Sequence, residues 1–229
     1  MHRPYVEHVK CAAVFTLDGT LITPSALGSF GRYLVSQRII SARRLLSMAV
    51  TSGWSRDSRS VGERMAALLQ GVEVDRVRVA ADAWVDAALR SRGVAAGLVA
   101  LQESQSRGHD VLISTVSPQV LASAAAAALG ARAGFGTAIA THQGRYLDEI
   151  HGPVNSGPIQ ADRVLRWLTD QAIDPSACWA LASSLDDLPL LNSVGRPIVI
   201  NGPRLLRSVA RSRGWPVLRS ADDWLQVRR

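Results

Sequence analysis

Short apolar runs alternate along the chain with segments in which apolar residues recur at helical spacing. This alternation predicts an α/β protein with a parallel sheet and helices on its faces. The runs that predict strands are 9–16, 111–115, 136–140, 178–182 and 197–200, with a short one at 216–218. The helices that follow strands are predicted at 118–129, 162–171 and 203–213, and the first and last of these end at Gly130 and Gly214, as helices commonly do.

Residues 24–92 interrupt this alternation, because they contain amphipathic helical patterns and no convincing strand. Four helices are predicted there, at 25–37, 41–52, 60–69 and 74–89, and Ser25 and Ser41 are suited to N-capping the first two. We therefore predict a core formed by residues 1–23 and 93–229 and an inserted helical cap at 24–92. An insert after the first strand lies over the carboxyl ends of the strands, where open α/β sheets bind ligands.

The composition is that of a globular protein, with 229 residues of which 47% are hydrophobic. The longest weakly polar stretch, 120–131, falls short of a membrane span, and the charged N-terminus does not match a secretory signal. We expect a cytoplasmic protein without a membrane span. Two cysteines, Cys11 and Cys178, lie in apolar runs and are expected to be buried thiols.

The formal net charge of +7 invites a search for an anionic partner. Lys10 is the only lysine among the 26 basic residues, a bias typical of a GC-rich genome, and the charges are scattered along the chain. We therefore do not expect a nucleic-acid partner. The histidines show no metal-ligand spacing, and the six tryptophans, Trp54 among them, are spread too evenly along the sequence to predict a stacking platform.

Four segments, taken in order, resemble the motifs of the haloacid dehalogenase-like phosphatases. They are the run Val-Phe-Thr-Leu-Asp-Gly-Thr-Leu at 14–21, the apolar strand that ends in Thr115 before Ser117 and Pro118, the segment 157–167, and Ser-Ser-Leu-Asp-Asp-Leu-Pro-Leu-Leu at 183–191. The chain most resembles the phosphoserine-phosphatase-like branch, whose members carry a helical cap where 24–92 lies. The resemblance implies a doubly wound, Rossmann-like parallel sheet with an inserted helical cap.

In that family, the first Asp of the Asp-x-Asp-Gly-Thr motif attacks phosphorus, and the second Asp acts as the general acid and base. Here Thr16 stands at the nucleophile position and Asp18 at the acid/base position. A threonine hydroxyl is a poor nucleophile unless a base activates it, so the family mechanism is expected to fail. A purely structural alternative is that Asp18 only stabilises the turn by accepting hydrogen bonds from backbone N–H groups.

The resemblance also implies phosphate-binding positions. Thr115 occupies the second motif, and Gln160 stands where the family places a lysine that holds the phosphoryl group. Arg163 lies one helical turn further on and is a substitute for that lysine in a shifted alignment. A hydroxyl with nearby N–H groups at Thr115 predicts residual binding of an anion.

The fourth motif normally supplies a carboxylate that binds Mg²⁺, and Ser183 stands at that position here. Asp187 is the carboxylate of the supporting shell, and Asp186 restores one metal ligand only if the adjacent acidic pair is used instead. No Mg²⁺ is expected otherwise. A purely structural alternative is that Asp186 and Asp187 favour the first turn of a helix.

Three functional hypotheses follow. The first is a degenerate phosphatase-like protein, or pseudoenzyme, that binds a small anionic ligand or a protein partner and has no Mg²⁺-dependent phosphomonoesterase activity. The second is a metal-free enzyme in which Asp18 or Asp187 is the general acid or base. The third is an active phosphatase that uses Asp186 and Asp187.

Overall fold

The structure, a computed structural model, describes residues 10–23, 25–51 and 58–227. Its eight strands are β1 (Ala12–Thr16), β2 (Asp110–Pro118), β3 (Ala133–Thr137), β4 (Ile139–His142), β5 (Arg145–Ile150), β6 (Trp179–Ala182), β7 (Arg196–Ile200) and β8 (Val217–Leu218). Six of them form a parallel sheet in the order β3-β2-β1-β6-β7-β8. The order reverses beside β1, and such a switch point is where open α/β sheets bind ligands.

The described helices are α1 (Ala26–Ser36), α2 (Ala42–Thr51), α3 (Ser58–Leu69), α4 (Val74–Arg92), α5 (Ala95–Ser106), α6 (Gln119–Ala128), α7 (Gly157–Asp170), α8 (Leu188–Asn192), α9 (Arg204–Ser212) and α10 (Ala221–Val227). Alternate residues of β1 point to opposite faces of the sheet. Ala13 and Phe15 pack in a core with α5, α6, α10 and the cap helices, whereas Ala12 and Val14 pack in a core with α7, α8 and α9. Both faces are thus covered, and the predicted α/β class with a doubly wound parallel sheet is confirmed.

The insert between β1 and β2 contains α1 to α4, which form the predicted helical cap. Its exact limits at 24 and 92 stay a prediction, and Pro24, Ser52 and Trp54 lie outside the described residues, as does everything before residue 10. Gly97 allows α5 to pack closely against the turn that follows β1, since a Cβ at this position would lie 1.9 Å from the Thr20 carbonyl oxygen.

The N-cap prediction holds for one of the two serines. The Ser41 hydroxyl accepts the Arg44 backbone N–H at 3.2 Å. Ser25 makes no such bond, because Asp18 from the preceding turn accepts the Ala26 N–H at 2.5 Å instead. A residue eight positions away in the chain therefore begins α1.

The predicted strand 136–140 is wrong as a single element. The chain leaves the sheet after β3, and β4 pairs antiparallel with β5 in a separate hairpin. The turn between β4 and β5 has Gln143 at φ 47° and Gly144 at φ 73°. The apolar pattern ran through both strands, so it could not show where the sheet ended.

Two other predictions need correction. The helix expected at 162–171 begins at Gly157, because Pro158 occupies the first turn, where its missing N–H needs no partner. Cys11 is half-buried rather than buried, although Cys178 is fully buried and both are free thiols. Across the described part of the chain, we find no helix with the length and apolar character that a membrane span requires.

Candidate functional site

The carboxyl ends of β1, β2 and β6 meet around a small cavity of about 140 Å³. Polar residues lie within or just after the last few residues of each of these strands, so parallel pairing brings the separate motifs to one edge of the sheet. Of the predicted site residues, all but Ser183 and the alternative Arg163 line the cavity, and Ser183 is bonded to Asp18, which does. The lining residues are Thr16, Leu17, Asp18, Ser25, Ser114, Thr115, Val116, Asn155, Ser156, Gln160, Ser184, Asp186 and Asp187.

Asp18 is held by hydrogen bonds to both of its carboxylate oxygens. Oδ1 accepts the Ala26 N–H at 2.5 Å, and Oδ2 accepts the Thr115 hydroxyl at 2.9 Å. The Thr115 hydroxyl also accepts the Ser117 backbone N–H at 3.1 Å. Asp18 and Thr115 are therefore bonded to each other, and the Thr115 proton already has an acceptor within the protein.

Thr16 and Ser183 flank the turn that carries Asp18. The Thr16 hydroxyl is buried and shares a 2.8 Å hydrogen bond with the Thr20 hydroxyl. The Ser183 hydroxyl donates to the backbone carbonyl of Asp18 at 2.7 Å. Gly19 makes this approach possible, since its φ is +74° and a Cβ there would lie 2.3 Å from Ser183 Oγ.

Gln160 and Asn155 form the wall beside β2. The Gln160 Nε2 donates to Ser114 Oγ at 3.1 Å, while its Oε1 is buried without a hydrogen-bond partner. Asn155 is fully buried, and its Nδ2 lies within hydrogen-bond distance of Ser114 Oγ, the Thr115 carbonyl and the Phe135 carbonyl. Sequence reasoning missed Asn155, although an Asn two residues before a helix that begins Gly-Pro is a signal for a structured turn.

Arg163 is directed to backbone carbonyls and to Asn155. Its guanidinium donates to the Gly136 carbonyl at 2.9 Å, to Asn155 Oδ1 at 3.2 Å and to the Pro153 carbonyl at 3.2 Å. It does not line the cavity. Partial burial lowers the pKa of the guanidinium, although it remains a cation. Arg163 therefore supports Asn155 and does not occupy the place of the expected lysine.

Asp187 and Asp186 lie in a short 3₁₀ turn, 185–187, after β6. The turn carries a capping box in which Ser184 Oγ accepts the Asp186 N–H at 3.3 Å and Asp187 Oδ2 accepts the Ser184 N–H at 3.0 Å. This geometry matches the structural interpretation of the pair. Burial raises the pKa of Asp187 to about 6, against hydrogen bonds from Ser184, Ser183 and Gln160 that lower it.

The donor set around Asp18 does not fit the Mg²⁺ that the fold family implies. Mg²⁺ prefers carboxylate and carbonyl oxygens in octahedral geometry. Thr16 and Ser183 offer neutral hydroxyls, each engaged within the protein, and the Asp18 carbonyl already accepts the Ser183 proton. No group of three or more His, Cys, Asp or Glu side chains arranged for a metal occurs within 10–23, 25–51 and 58–227.

Comparison with known proteins shows the family of the chain. The family model described as haloacid dehalogenase-like hydrolase matches residues 13–192. The chain belongs to this family. Within the family it is 30% identical, over 91% of its length and 78% of the other chain, to a Streptomyces azureus protein named inhibition of morphological differentiation protein.

Other haloacid dehalogenase-like relatives carry names that describe phosphatases. A Mycobacterium tuberculosis protein named probable phosphatase is 27% identical over 91% of this chain and 75% of its own. Among solved structures, a Bordetella pertussis protein of unknown function has a TM-score of 0.79 at 21% identity, covering 92% of this chain and 99% of that one. A substrate-bound phosphoserine phosphatase has a TM-score of 0.67 at 16% identity, covering 95% and 97%. The fold, including its helical cap, is that of the phosphoserine-phosphatase-like branch.

Proposed function

We propose that this haloacid dehalogenase-like protein has no Mg²⁺-dependent phosphomonoesterase activity and acts by binding a ligand or a protein partner. The observation that carries the proposal is the hydrogen bond from Ser183 to the Asp18 carbonyl. It joins the position of the expected metal carboxylate to the carbonyl that would be a second metal ligand. The Thr16 hydroxyl, at the nucleophile position, is hydrogen-bonded to the Thr20 hydroxyl. A second hydroxyl is not a base that could activate it as a nucleophile.

The charge of the cavity supports the same proposal. Asp18, Asp186 and Asp187 line it, and none of its described lining residues is basic. A phosphate dianion in such a cavity would face like charges without a compensating cation. The name of the Streptomyces azureus relative describes an effect on differentiation and not a reaction, which also agrees with action through binding.

Assays of p-nitrophenyl phosphate and phosphoserine hydrolysis, with and without Mg²⁺, test the first half of the proposal. We expect rates at background in both conditions. Mg²⁺-dependent turnover that disappears in Asp186→Ala would contradict the proposal and support the active phosphatase that the names of the mycobacterial relatives favour.

Restoring the family residues tests the assignment of each position. Thr16→Asp with Ser183→Asp frees the Asp18 carbonyl and adds two carboxylates, so Mg²⁺ binding by calorimetry should appear. Adding Gln160→Lys should permit a detectable phosphoenzyme, because the lysine balances the new charge. The matched control is Thr141→Asp with Ser106→Asp, which adds the same charge at exposed sites and should bind no Mg²⁺. A folded triple variant without Mg²⁺ binding would show that the alignment is wrong.

The raised pKa of Asp187 favours one second candidate, a metal-free reaction with this carboxyl as general acid. A buried carboxylic acid with a pKa of about 6 is protonated often enough near neutrality to donate a proton. Activity of this kind would persist in EDTA, be lost in Asp187→Asn and remain in Asp186→Asn. Loss in both variants, or in neither, would exclude Asp187 as that acid.

A further inference from the structure

A second and larger cavity lies at the opposite end of the sheet. Its volume is about 390 Å³, and its lining includes the amino ends of β6 and β7. β6 has four residues, so the strand separates the two cavities by about 13 Å. Volumes of about 300 to 1,000 Å³ are typical of small-molecule sites, a range that the cavity at the carboxyl ends does not reach. The lining residues are Arg107, Trp179, Gly195, Arg196, Pro197, Ile198, Gly214, Trp215, Pro216 and Val227.

Aromatic rings are concentrated at this end. Trp179 and Trp215 line the cavity, and Trp224 packs on Trp179 with ring centroids 5.7 Å apart. Together with Ile198 and two prolines, the two lining indoles make the surface mostly apolar, as small-molecule sites usually are. The even spacing of tryptophans along the sequence predicted no such cluster, and the fold assembles it.

Two arginine side chains at this end of the sheet, Arg196 in the cavity lining and Arg213 beside the lining residue Trp215, stack on aromatic rings. The Arg196 guanidinium lies 4.9 Å from the centroid of the Trp179 ring, and Arg213 lies 4.9 Å from that of Trp215. Within the described residues, Arg196 has no carboxylate partner, whereas Arg107 pairs with Glu103 at 2.9 Å. A stacked guanidinium keeps its N–H groups available for an anion.

Two buried polar atoms beside the cavity also lack partners. They are Nδ1 of His109 and Nε1 of Trp179, and only 7% of the surface of Trp179 is exposed. Burial and then the charges of Arg107 and Arg196 lower the pKa of His109, so both guanidinium groups act on the same region. Positive potential, to which Arg196 contributes without a carboxylate partner among the described residues, therefore meets an apolar aromatic surface at this end of the sheet.

We propose that this cavity binds a small aromatic anion, with the flat ring against Trp215 and Ile198 and the anionic group at Arg196 and Arg107. The shared chemistry is a planar ring that carries one carboxylate or one phosphate. This binding site is independent of the residues around Asp18, so it does not rest on the proposed function.

Calorimetric titration of the full chain tests the proposal with AMP, indole-3-acetate and 4-hydroxybenzoate as probes. We expect at least one aromatic anion to bind with a dissociation constant below about 1 mM. Adenosine and ribose 5-phosphate supply the ring and the anion separately and should bind at least about tenfold more weakly than AMP if AMP is the ligand. For the carboxylates, indole and 4-hydroxybenzyl alcohol supply the neutral rings and acetate supplies the anion, and each should likewise bind more weakly than the acid. Binding of AMP alone would identify a phosphate ligand, and binding of the acids alone a carboxylate.

Variants locate the binding. Arg196→Gln and Trp215→Leu should each weaken it at least about tenfold, because they remove the anion partner and part of the apolar surface. Arg166→Gln is the matched control, since Arg166 is exposed and pairs with Asp162 far from the cavity, and it should bind as the wild type does. Circular dichroism checks that each variant is folded, and Trp215→Phe serves if Trp215→Leu is not.

Three results from the probes and the cavity variants would overturn the proposal, and a fourth would come from the other end of the sheet. The first three are no binding by any of the three probes, equal binding of a neutral ring and its anion, and binding that survives both cavity variants. Binding that is lost in Thr115→Val but kept in Arg196→Gln would place the anion at the carboxyl ends of the strands, and would likewise overturn it.

Discussion

The two ends of one parallel sheet use their polar groups differently. At the carboxyl ends, the hydroxyls of Thr16, Thr115 and Ser183 are all bonded to other groups of the protein, around a cavity of about 140 Å³. At the amino ends, Arg196 is stacked on an indole and has no carboxylate partner among the described residues, beside a cavity of about 390 Å³. Polar side chains at the first end hold the fold together, whereas the Arg196 guanidinium at the second is available to a ligand.

The largest loss of stability should follow removal of the buried Asn155 amide. Asn155→Ala removes a fully buried amide that bonds to Ser114 Oγ and to the carbonyls of Thr115 and Phe135, so we expect a loss of about 3 to 4 kcal/mol in the free energy of unfolding. Urea denaturation measures it. The control, Asn192→Ala, removes an exposed acceptor of Arg213 and should change stability by about 0.5 kcal/mol or less. Equal losses would mean that the carboxyl-end network contributes little.

Protonation of Asp187, at the carboxyl ends of the strands, should make the protein more stable in acid. The pKa of Asp187 rises from 3.8 to about 6 on folding, so the stability gained from its protonated form is present below pH 3.8 and is lost as pH rises through 6. Asp187→Asn should therefore be more stable than the wild type at pH 8 by about 2 to 3 kcal/mol, with little difference at pH 4. Urea denaturation at the two pH values measures this, and a difference that does not depend on pH would refute the assignment.

Substitution of Ala for Gly19 or for Gly214 compares the packing at the two ends of the sheet. Gly19 and Gly214 have φ values of +74° and +69°, so Ala is strained at both by about 1 kcal/mol. Only at Gly19 does the new Cβ meet an atom, Ser183 Oγ, so Gly19→Ala should lose about 2 kcal/mol or more in thermal or urea unfolding. In a Ser183→Gly background, the extra loss at Gly19 should disappear. If it persists, Ser183 is not the obstacle.

His109 should give the amino end the opposite response to pH. Its pKa is lowered on folding by burial and by Arg107 and Arg196, so its contribution to stability is present above pH 6.5 and is lost as pH falls. His109→Gln should reduce the loss of stability between pH 7 and pH 5, by less than the Asp187 effect because the imidazole is half exposed. An unchanged pH dependence in this variant would show that the imidazole feels no positive potential.

Arg196→Gln should have the smallest effect on stability. The guanidinium is exposed and has a ring contact but no ion pair with any residue that the structure describes, so we expect a change of about 0.5 kcal/mol or less in urea unfolding. A loss greater than about 1.5 kcal/mol would mean that Arg196 is a structural residue like Asn155. The contrast between the two ends would then be wrong.

The sequence predicted the class, the cap and most of the strands, because helical patterns are local and most strands of the central sheet contain a short apolar run. The motifs also indicated that Thr16, Asp18, Thr115 and Gln160 meet, since parallel strands align their carboxyl ends. It could not predict the role of Asn155, whose partners in β2 and β3 are 18 to 41 residues away. Nor could it predict that Trp179, Trp215 and Trp224 share one end, since that follows from topology.

The hairpin formed by β4 and β5 has a consequence for anyone who exchanges modules between relatives. Backbone bonds tie it to the cap, from Gly71 N–H to the Tyr146 carbonyl at 2.7 Å and from Val74 N–H to the Gly144 carbonyl at 2.9 Å, and Arg145 pairs with Glu73 at 2.6 Å. A chimaera that transplants residues 24–92 alone cuts through this ladder and leaves its donors and acceptors unmatched. The transferable unit is discontinuous, and it includes residues 139–150 together with the helices.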